Sequence, residues 1–427
     1  MAASDTQVAV IGGGVVGCAV AHALARRGVA AVLLEAEADL ALGASGANSG
    51  VLHTGFDSTP GELETRLILR AAAMREELLE ELGVTVWRCG ARLTPSGVDE
   101  RAAVARLAEN ARVNGVEVRL DENGSLTVPG ESISDPAAFV RALASAAQAG
   151  GATVRLGARV TGLASAAGED ISADGPPGGG PGHDPAGDGL AVELETGERL
   201  RVDAAVNCAG LYADEIARST GEDLLQIYPR KGEFLVFPAP QDPRLEQILL
   251  PVPSAMGKGV LVFPTLDRRA VIAGPTARER EDKRDWSVEA DAAELILAKA
   301  QRMYPALEGL APSAAYAGLR PAGRGANYVI ERSRTLPRLI HVAAIRSTGL
   351  SASLAIGEHV VAMLTDDGAI APGPVRALPA ASSPASAGRP ARPDDGPSTP
   401  ETWWERAARH SQASAARSGL AGAPETP

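Results

Sequence analysis

The chain has 427 residues, more than one hydrophobic core usually serves, and its 45% apolar content suits a folded protein of two domains or one intertwined pair. A net charge of -12 argues against a nucleic-acid binder, which needs clustered Lys and Arg. Cys18, Cys89 and Cys208 make no CxxC pair and no metal cluster, so they read as reduced thiols in a cytoplasmic, reducing setting, with no metal site.

In chain order, the opening "MAASDTQ" has no basic leader, and no later apolar run is long enough to predict a membrane span. Residues 7–11 are a β-branched run that reads as a buried strand. Gly12, Gly14 and Gly17 then fit G-x-G-x-x-G. The first allows a tight turn, the second lets backbone approach a pyrophosphate, and the third lets helix and strand pack closely. Ala19, Ala23 and Leu24 continue one helix face, Gly28 closes it, and residues 32–34 form a second strand ending in Glu35. Strand, glycine turn, helix, strand and acid predict a dinucleotide site. The pyrophosphate sits on the helix N-terminus, and Glu35 accepts ribose hydroxyls. This pattern does not choose FAD over NAD.

"GASGANSGVLHTGFDSTPGE" (43–62) follows the second strand and carries His53, one of six histidines. Ser45, Asn48 and Ser49 are suited to phosphates or a ring system at the carboxyl edge of the sheet. Thr59, Pro60 and Glu62 predict a capped helix start, and Leu63, Leu67, Met74, Leu78 and Leu82 predict its core stripe. Another helix is expected near "SDPAAFVRALASAAQAGG", then strands in "TVRLGARVTGL", and a hairpin in "AVELETGERLRVDAAVNCAG" that turns at Thr196 and Gly197. Between them, 166–189 is too rich in Gly, Pro and Asp to pack and reads as a flexible excursion. "NCAGLYAD" is a second glycine turn between strand and helix. From Tyr228 on, "YPRKGEFLVFPAP", "GKGVLVFPT", "RAVIAGPTA" and "AYAGLRP" predict a mainly antiparallel sheet, interrupted by a helix at about 287–303. "LIHVAAIRSTGLSASLAIGEHVVAMLTD" returns to a buried strand, a small-residue turn and a helix. From 369 the chain is rich in Pro, Ala, Ser and Gly and reads as a mostly disordered tail. Trp403 and Trp404 lie on a short helix within it, suited to docking on the body, a partner or a membrane surface.

The expected class is α/β, with a nucleotide-binding domain that opens and closes the chain and a β-sheet domain inserted. The predicted boundaries are 1–85, 136–225 and 336–368 for the nucleotide-binding domain, and 86–135 and 226–335 for the inserted domain. The remainder, 369–427, is tail.

The motifs "VIGGGVVG", "SGANSGVLHTGFD", "NCAGLYAD", "PRKGEFLVF", "GKGVLVFPT", "AGPTA", "GLRP" and "IRSTGLSAS" together resemble the FAD-dependent oxidoreductases of the D-amino-acid-oxidase type. Within them they are most similar to the glycerol-3-phosphate dehydrogenases and oxidases. The resemblance spans roughly residues 6–366. It implies a Rossmann-like FAD-binding domain of the GR2 type with a substrate domain inserted. It assigns to FAD the residues Gly12, Gly14, Val15, Val16, Gly17, Glu35, Ser45, Gly46, Asn48, Ser49, Gly50, Val160, Gly210, Thr348, Gly349, Leu350 and Ser351. It also implies that His53 faces the substrate as a base, and a neutral-range imidazole suits removal of a hydroxyl proton. Lys258 and Arg320 are the expected cations for a substrate phosphate, and Arg346 and Ser347 face the substrate from the flavin-edge turn.

The expected reaction is oxidation of sn-glycerol 3-phosphate to dihydroxyacetone phosphate by hydride transfer to flavin. One alternative keeps the flavin and takes a 2-hydroxy acid such as L-2-hydroxyglutarate, or an amine. Another is a non-catalytic flavin-binding partner subunit. Many dehydrogenase relatives add a domain with four clustered cysteines for an iron–sulfur centre, and this sequence has no such cluster. Oxygen, a quinone reached by peripheral docking at the inner face of the membrane, or a partner subunit are the acceptors considered.

Overall fold

The computed structural model describes residues 7–166, 189–253, 259–378 and 401–417. Apolar runs at Val8–Ile11, Ala31–Leu34, Ala204–Asn207 and Leu339–Ala343 are each fully buried, as expected for central strands of a sheet covered on both faces. They form a six-stranded sheet in the order Val329–Arg332, Leu339–Ala343, Ala204–Asn207, Val8–Ile11, Ala31–Leu34, Thr153–Arg155. All neighbours are parallel except the first pair.

The helices are α1 (Val15–Ala25), α2 (Leu63–Glu81), α3 (Val98–Val113), α4 (Pro136–Ala149), α5 (Ala213–Ser219), α6 (Ala292–Met303), α7 (Gly349–Asp366) and α8 (Trp403–Arg417). α1 packs against α4 and α7. Gly357 allows α7 to meet α1 backbone to backbone, since a Cβ there would fall 2.6 Å from the Ala19 carbonyl oxygen. Asp135 caps α4 by accepting the Ala137 and Ala138 N–H groups.

A second, nine-stranded sheet is antiparallel apart from one parallel pair. Its longest pairing joins Ile227–Pro238 to Ala314–Gly323, with Arg230 opposite Arg320. Residues 91–93, 119–120 and 126–128 supply three of its strands from the earlier part of the chain. A small sheet pairs Val51–Leu52 with Ser132–Ser134, Val51 opposite Ile133 and Leu52 opposite Ser132. Among the described residues no helix is long and apolar enough to cross a membrane.

Several local expectations change. α2 starts at Leu63 with Glu62 as its N-cap and no side-chain cap bond, so Thr59 is not the cap; its carbonyl instead closes a turn onto the Glu62 N–H. The later helix starts at Ala292, not near 287, because residues 285–289 are tied to Lys231 and Glu233 of the second sheet. The reading of 369–427 as a disordered tail is corrected for 369–378 and 401–417. Gly373 and Arg376 donate backbone N–H groups to Arg27 and Arg26 at the end of α1, and α8 docks on the second sheet with Trp403 buried. Trp403 is therefore not available to a membrane surface. Residues 379–400 and 418–427, and nearly all of the 166–189 excursion, lie outside the described residues.

His22 lies buried in α1. Burial, reinforced by Arg26 and opposed by Glu358, pushes its imidazole down to about 4. The unfolded chain takes up that proton near pH 6.5 and the folded chain does not, so stability falls as pH drops from about 6.5 towards 4. At about 1.4 kcal/mol per unit the full effect is about 3 kcal/mol. A His22→Gln variant should show a shallower fall of Tm across that window; equal slopes in the two proteins would remove His22 as the cause.

Candidate active site

The strand Val8–Ile11 ends at Gly12, which adopts φ +107°; a Cβ there would lie 2.5 Å from the Cys208 carbonyl oxygen. A Cβ on Gly17 would lie 1.9 Å from the Gly12 oxygen, so the first turn of α1 sits directly on the glycine turn. Gly14 differs. Its φ of -78° and ψ of 179° suit any residue, and a Cβ would meet only Ser45 Oγ, at 3.1 Å. Gly14 faces a cavity of about 1380 Å³ that runs from Glu35 to the N-terminus of α7. The N-cap residues of α1 and α7 make no side-chain capping bond, so both helices turn their positive dipole ends to that cavity. Ser45 Oγ accepts the Val15 N–H at 2.9 Å, and the Glu35 carboxylate accepts the Gly13 and Glu37 N–H groups at 2.6 and 2.8 Å.

Two thiols underlie the turn. Cys18 Sγ donates to the Gly13 oxygen at 3.6 Å, and Cys208 closes the other side. Burial holds both far above the ordinary thiol range and pushes Cys89 up to about 12.

Most residues expected to meet the dinucleotide line this cavity: Gly12, Gly14, Val15, Val16, Glu35, Ser45, Asn48, Val160, Gly210, Gly349 and Leu350. Gly17, Gly46 and Gly50 stand behind the wall. Cβ atoms on Gly46 and Gly50 would fall 1.9 Å from the Ala41 oxygen and 2.3 Å from the Ser134 oxygen, so these glycines are needed for chain packing. Ser351 Oγ accepts the His53 N–H at 2.8 Å. Ser49 and Thr348 line a second cavity of about 770 Å³, together with His53, Arg320, Arg346 and Ser347. Thr348 donates to Glu64 at 2.6 Å. Ala44, Asn48 and Arg346 line both cavities and mark where they meet. Lys258 lies outside the described residues.

The small sheet sets His53 opposite Glu131, one step beyond the Leu52–Ser132 pair. His53 Nδ1 lies 2.9 Å from Glu131 Oε2. Glu131 is fully buried, and its other oxygen accepts from the Thr54 backbone N–H and hydroxyl at 2.7 and 2.9 Å. With the carboxylate accepting, Nδ1 carries the imidazole proton and Nε2 is left as an acceptor. Arg75 donates to the His53 and Leu52 carbonyls at 2.7 and 3.2 Å, which fixes the backbone. Burial pushes Arg75 down to about 10, opposed by Glu131, so it stays cationic at neutral pH.

Arg230, Arg320 and Arg346 converge from two strands and the turn before α7. Side chains alternate along the strand Ile227–Pro238, so Arg230, Gly232 and Phe234 line the second cavity while Lys231 is fully buried behind, 2.9 Å from Asp285. Arg320 donates to the Arg230, Lys231 and Thr276 carbonyls at 3.0, 3.3 and 2.9 Å. Gly232 makes room for it, since a Cβ there would lie 2.8 Å from its guanidinium. Burial, then Arg230 and Arg346, push Arg320 down to about 10. Among the described residues Arg230 and Arg346 carry no ion pair. Nothing in the sequence alone marks Glu131 or Arg230 as part of this site.

Residues 7–363 match the family described as FAD dependent oxidoreductase, DAO. The chain belongs to that family. A glycerol 3-phosphate dehydrogenase from Caloramator mitchellensis is 29% identical over 373 residues, covering 84% of this chain and 73% of the relative. A glycerol 3-phosphate oxidase from Mycoplasma genitalium is 26% identical over 378 residues, covering 84% and 94%. Among solved structures, a dithionite-reduced L-alpha-glycerophosphate oxidase from Mycoplasma pneumoniae with FAD bound superposes with a TM-score of 0.76 at 23% identity, covering 88% of this chain and 98% of that one. This DAO-family protein is an FAD-dependent oxidoreductase. The uncapped helix ends, the open approach at Gly14 and the Glu35 carboxylate fit the cofactor.

Gly14 and Gly17 should therefore separate binding from folding. Gly14→Val should yield folded protein with about a tenth or less of the normal flavin content, because the new side chain occupies the pyrophosphate approach. Gly17→Ala should lower Tm with or without FAD. Full flavin retention in Gly14→Val would displace the pyrophosphate from this turn.

Proposed function

We propose that the enzyme oxidises sn-glycerol 3-phosphate to dihydroxyacetone phosphate. The observation that carries this reading is the second cavity, where His53, oriented by Glu131, shares a wall with Arg230, Arg320 and Arg346. Three guanidinium groups suit a dianionic phosphate and oppose an amine, whose ammonium would sit among like charges. The similarity to glycerol 3-phosphate dehydrogenases and oxidases supports the same substrate.

Bound FAD would supply the acceptor for the hydride that leaves the alcohol carbon. His53 takes the hydroxyl proton at Nε2 as the carbonyl forms. Glu131 keeps Nδ1 protonated and holds the ring, so the accepting nitrogen stays turned away from the carboxylate. Arg320, fixed by three backbone carbonyls, offers its remaining N–H groups to the phosphate without first having to be ordered. Arg230 and Arg346 supply further charge.

Under anaerobic conditions, sn-glycerol 3-phosphate should bleach the bound flavin. His53→Ala should keep FAD and slow that reduction by about 10²–10⁴-fold, leaving reoxidation unchanged. Arg230→Ala should chiefly weaken substrate binding, by about 10-fold or more. Bleaching by L-2-hydroxyglutarate and not by glycerol 3-phosphate would overturn the substrate, and near-normal reduction of His53→Ala would overturn the base.

A further inference from the structure

α8 packs an apolar stripe onto the strand Ala314–Gly323. Trp403 is buried with its ring edge-on to Tyr316, centroids 5.6 Å apart. Ser411 Oγ accepts the Ala317 N–H and Ser414 Oγ accepts the Trp286 N–H, each at 3.0 Å. These contacts fix the rotation of the helix, with residues 403, 407, 411 and 414 inward. At about 100° per residue, His410 and Arg417 then share one flank. Both line the large cavity, as do Glu37 and Arg159 of the nucleotide-binding part.

His410 packs edge-on against Trp286, 5.1 Å between centroids, and its Nε2 is buried without a hydrogen-bond partner. Burial, with Arg417 beside it, holds its imidazole below the ordinary range, opposed by Glu37. Arg417 carries no ion pair among the described residues. Buried polar atoms are normally paired, and here an orphaned imidazole nitrogen, with the exposed Arg417 guanidinium on the same flank, borders a cavity whose cofactor carries two phosphates and many hydroxyls. α8 also holds the neighbouring wall: Ser414, bonded to Trp286, donates to the Arg284 carbonyl at 3.3 Å, and Lys283, Arg284 and Trp286 all line the same cavity.

We infer that α8 is a wall of the FAD site, with His410 and Arg417 binding the phosphate and ribose side of the cofactor and Trp403 anchoring the helix that carries them. This depends on the FAD assignment and not on the substrate.

The test is titration of deflavinated full-length protein with FAD, followed by flavin fluorescence, beside hydrogen exchange of the wild type with and without FAD. The His410→Ala/Arg417→Ala double variant should bind FAD about 10-fold or more weakly, while its cofactor-free Tm matches that of cofactor-free wild type. Arg409→Ala removes the same charge from an outward, 66% exposed position of α8 and should bind as wild type. FAD should slow amide exchange in 403–417 of the wild type. Wild-type affinity in the double variant, or exchange in 403–417 that FAD leaves unchanged, would overturn the inference. Should the double variant fail to fold, Arg417→Gln together with the exchange measurement decides.

Discussion

The crossing of α1 and α7 is the constraint on which the site depends. With only Gly357 at the crossing, nothing holds the two helices apart, and the α7 backbone rests against the Ala19 carbonyl. Each helix follows a strand of the same parallel sheet, so both N-termini open at its carboxyl edge, onto one cavity. A side chain at position 357 would push the helices apart and move one set of N–H groups relative to the other. The spacing of the two helix ends that border the cavity is thus set by packing between the helices rather than by the cavity wall.

The second sheet brings charge to the same edge by a different route. Its longest strand keeps one face for the cavity and buries the other, where Lys231 meets Asp285 and Glu233 accepts from Thr276, Arg278 and the Glu289 backbone. A buried ion pair adds little net stability, but removing one partner leaves an uncompensated charge, at a cost of about 3–5 kcal/mol. The network therefore fixes the 285–289 segment and the strand together. The cavity-facing arginines inherit that rigidity, with Arg320 further held by carbonyls of its own sheet.

The nucleotide-binding half was legible because its demands are local: three glycines, a strand on either side and an acid all fall within the first 35 residues. His53 stood out in the sequence through its neighbours, and the structure sets it on the wall of the second cavity. Glu131 was not, because it lies 78 residues from its partner and only the ladder of a two-residue strand brings them together. In sequence it is one acid in a turn. Arg230 sat within a strand that was recognised, yet its partner is set by a cross-strand register that spacing alone does not reveal. α8 showed its amphipathic character, but the same pattern suits docking on a membrane, a partner or the protein's own body. The Trp403–Tyr316 contact and the Ser411 and Ser414 hydrogen bonds decide for the last.

The sulfur atoms beneath the glycine turn give the site a chemical character of its own. Alkylating reagents and peroxides attack the thiolate, and a thiol held far above its usual range yields almost none. Cys18 and Cys208 therefore behave as small apolar fillers beside a redox cofactor rather than as reactive groups. With Cys89 also raised, none of the three cysteines offers a ready thiolate, and the glycine turn stands on sulfur that thiol reagents attack poorly.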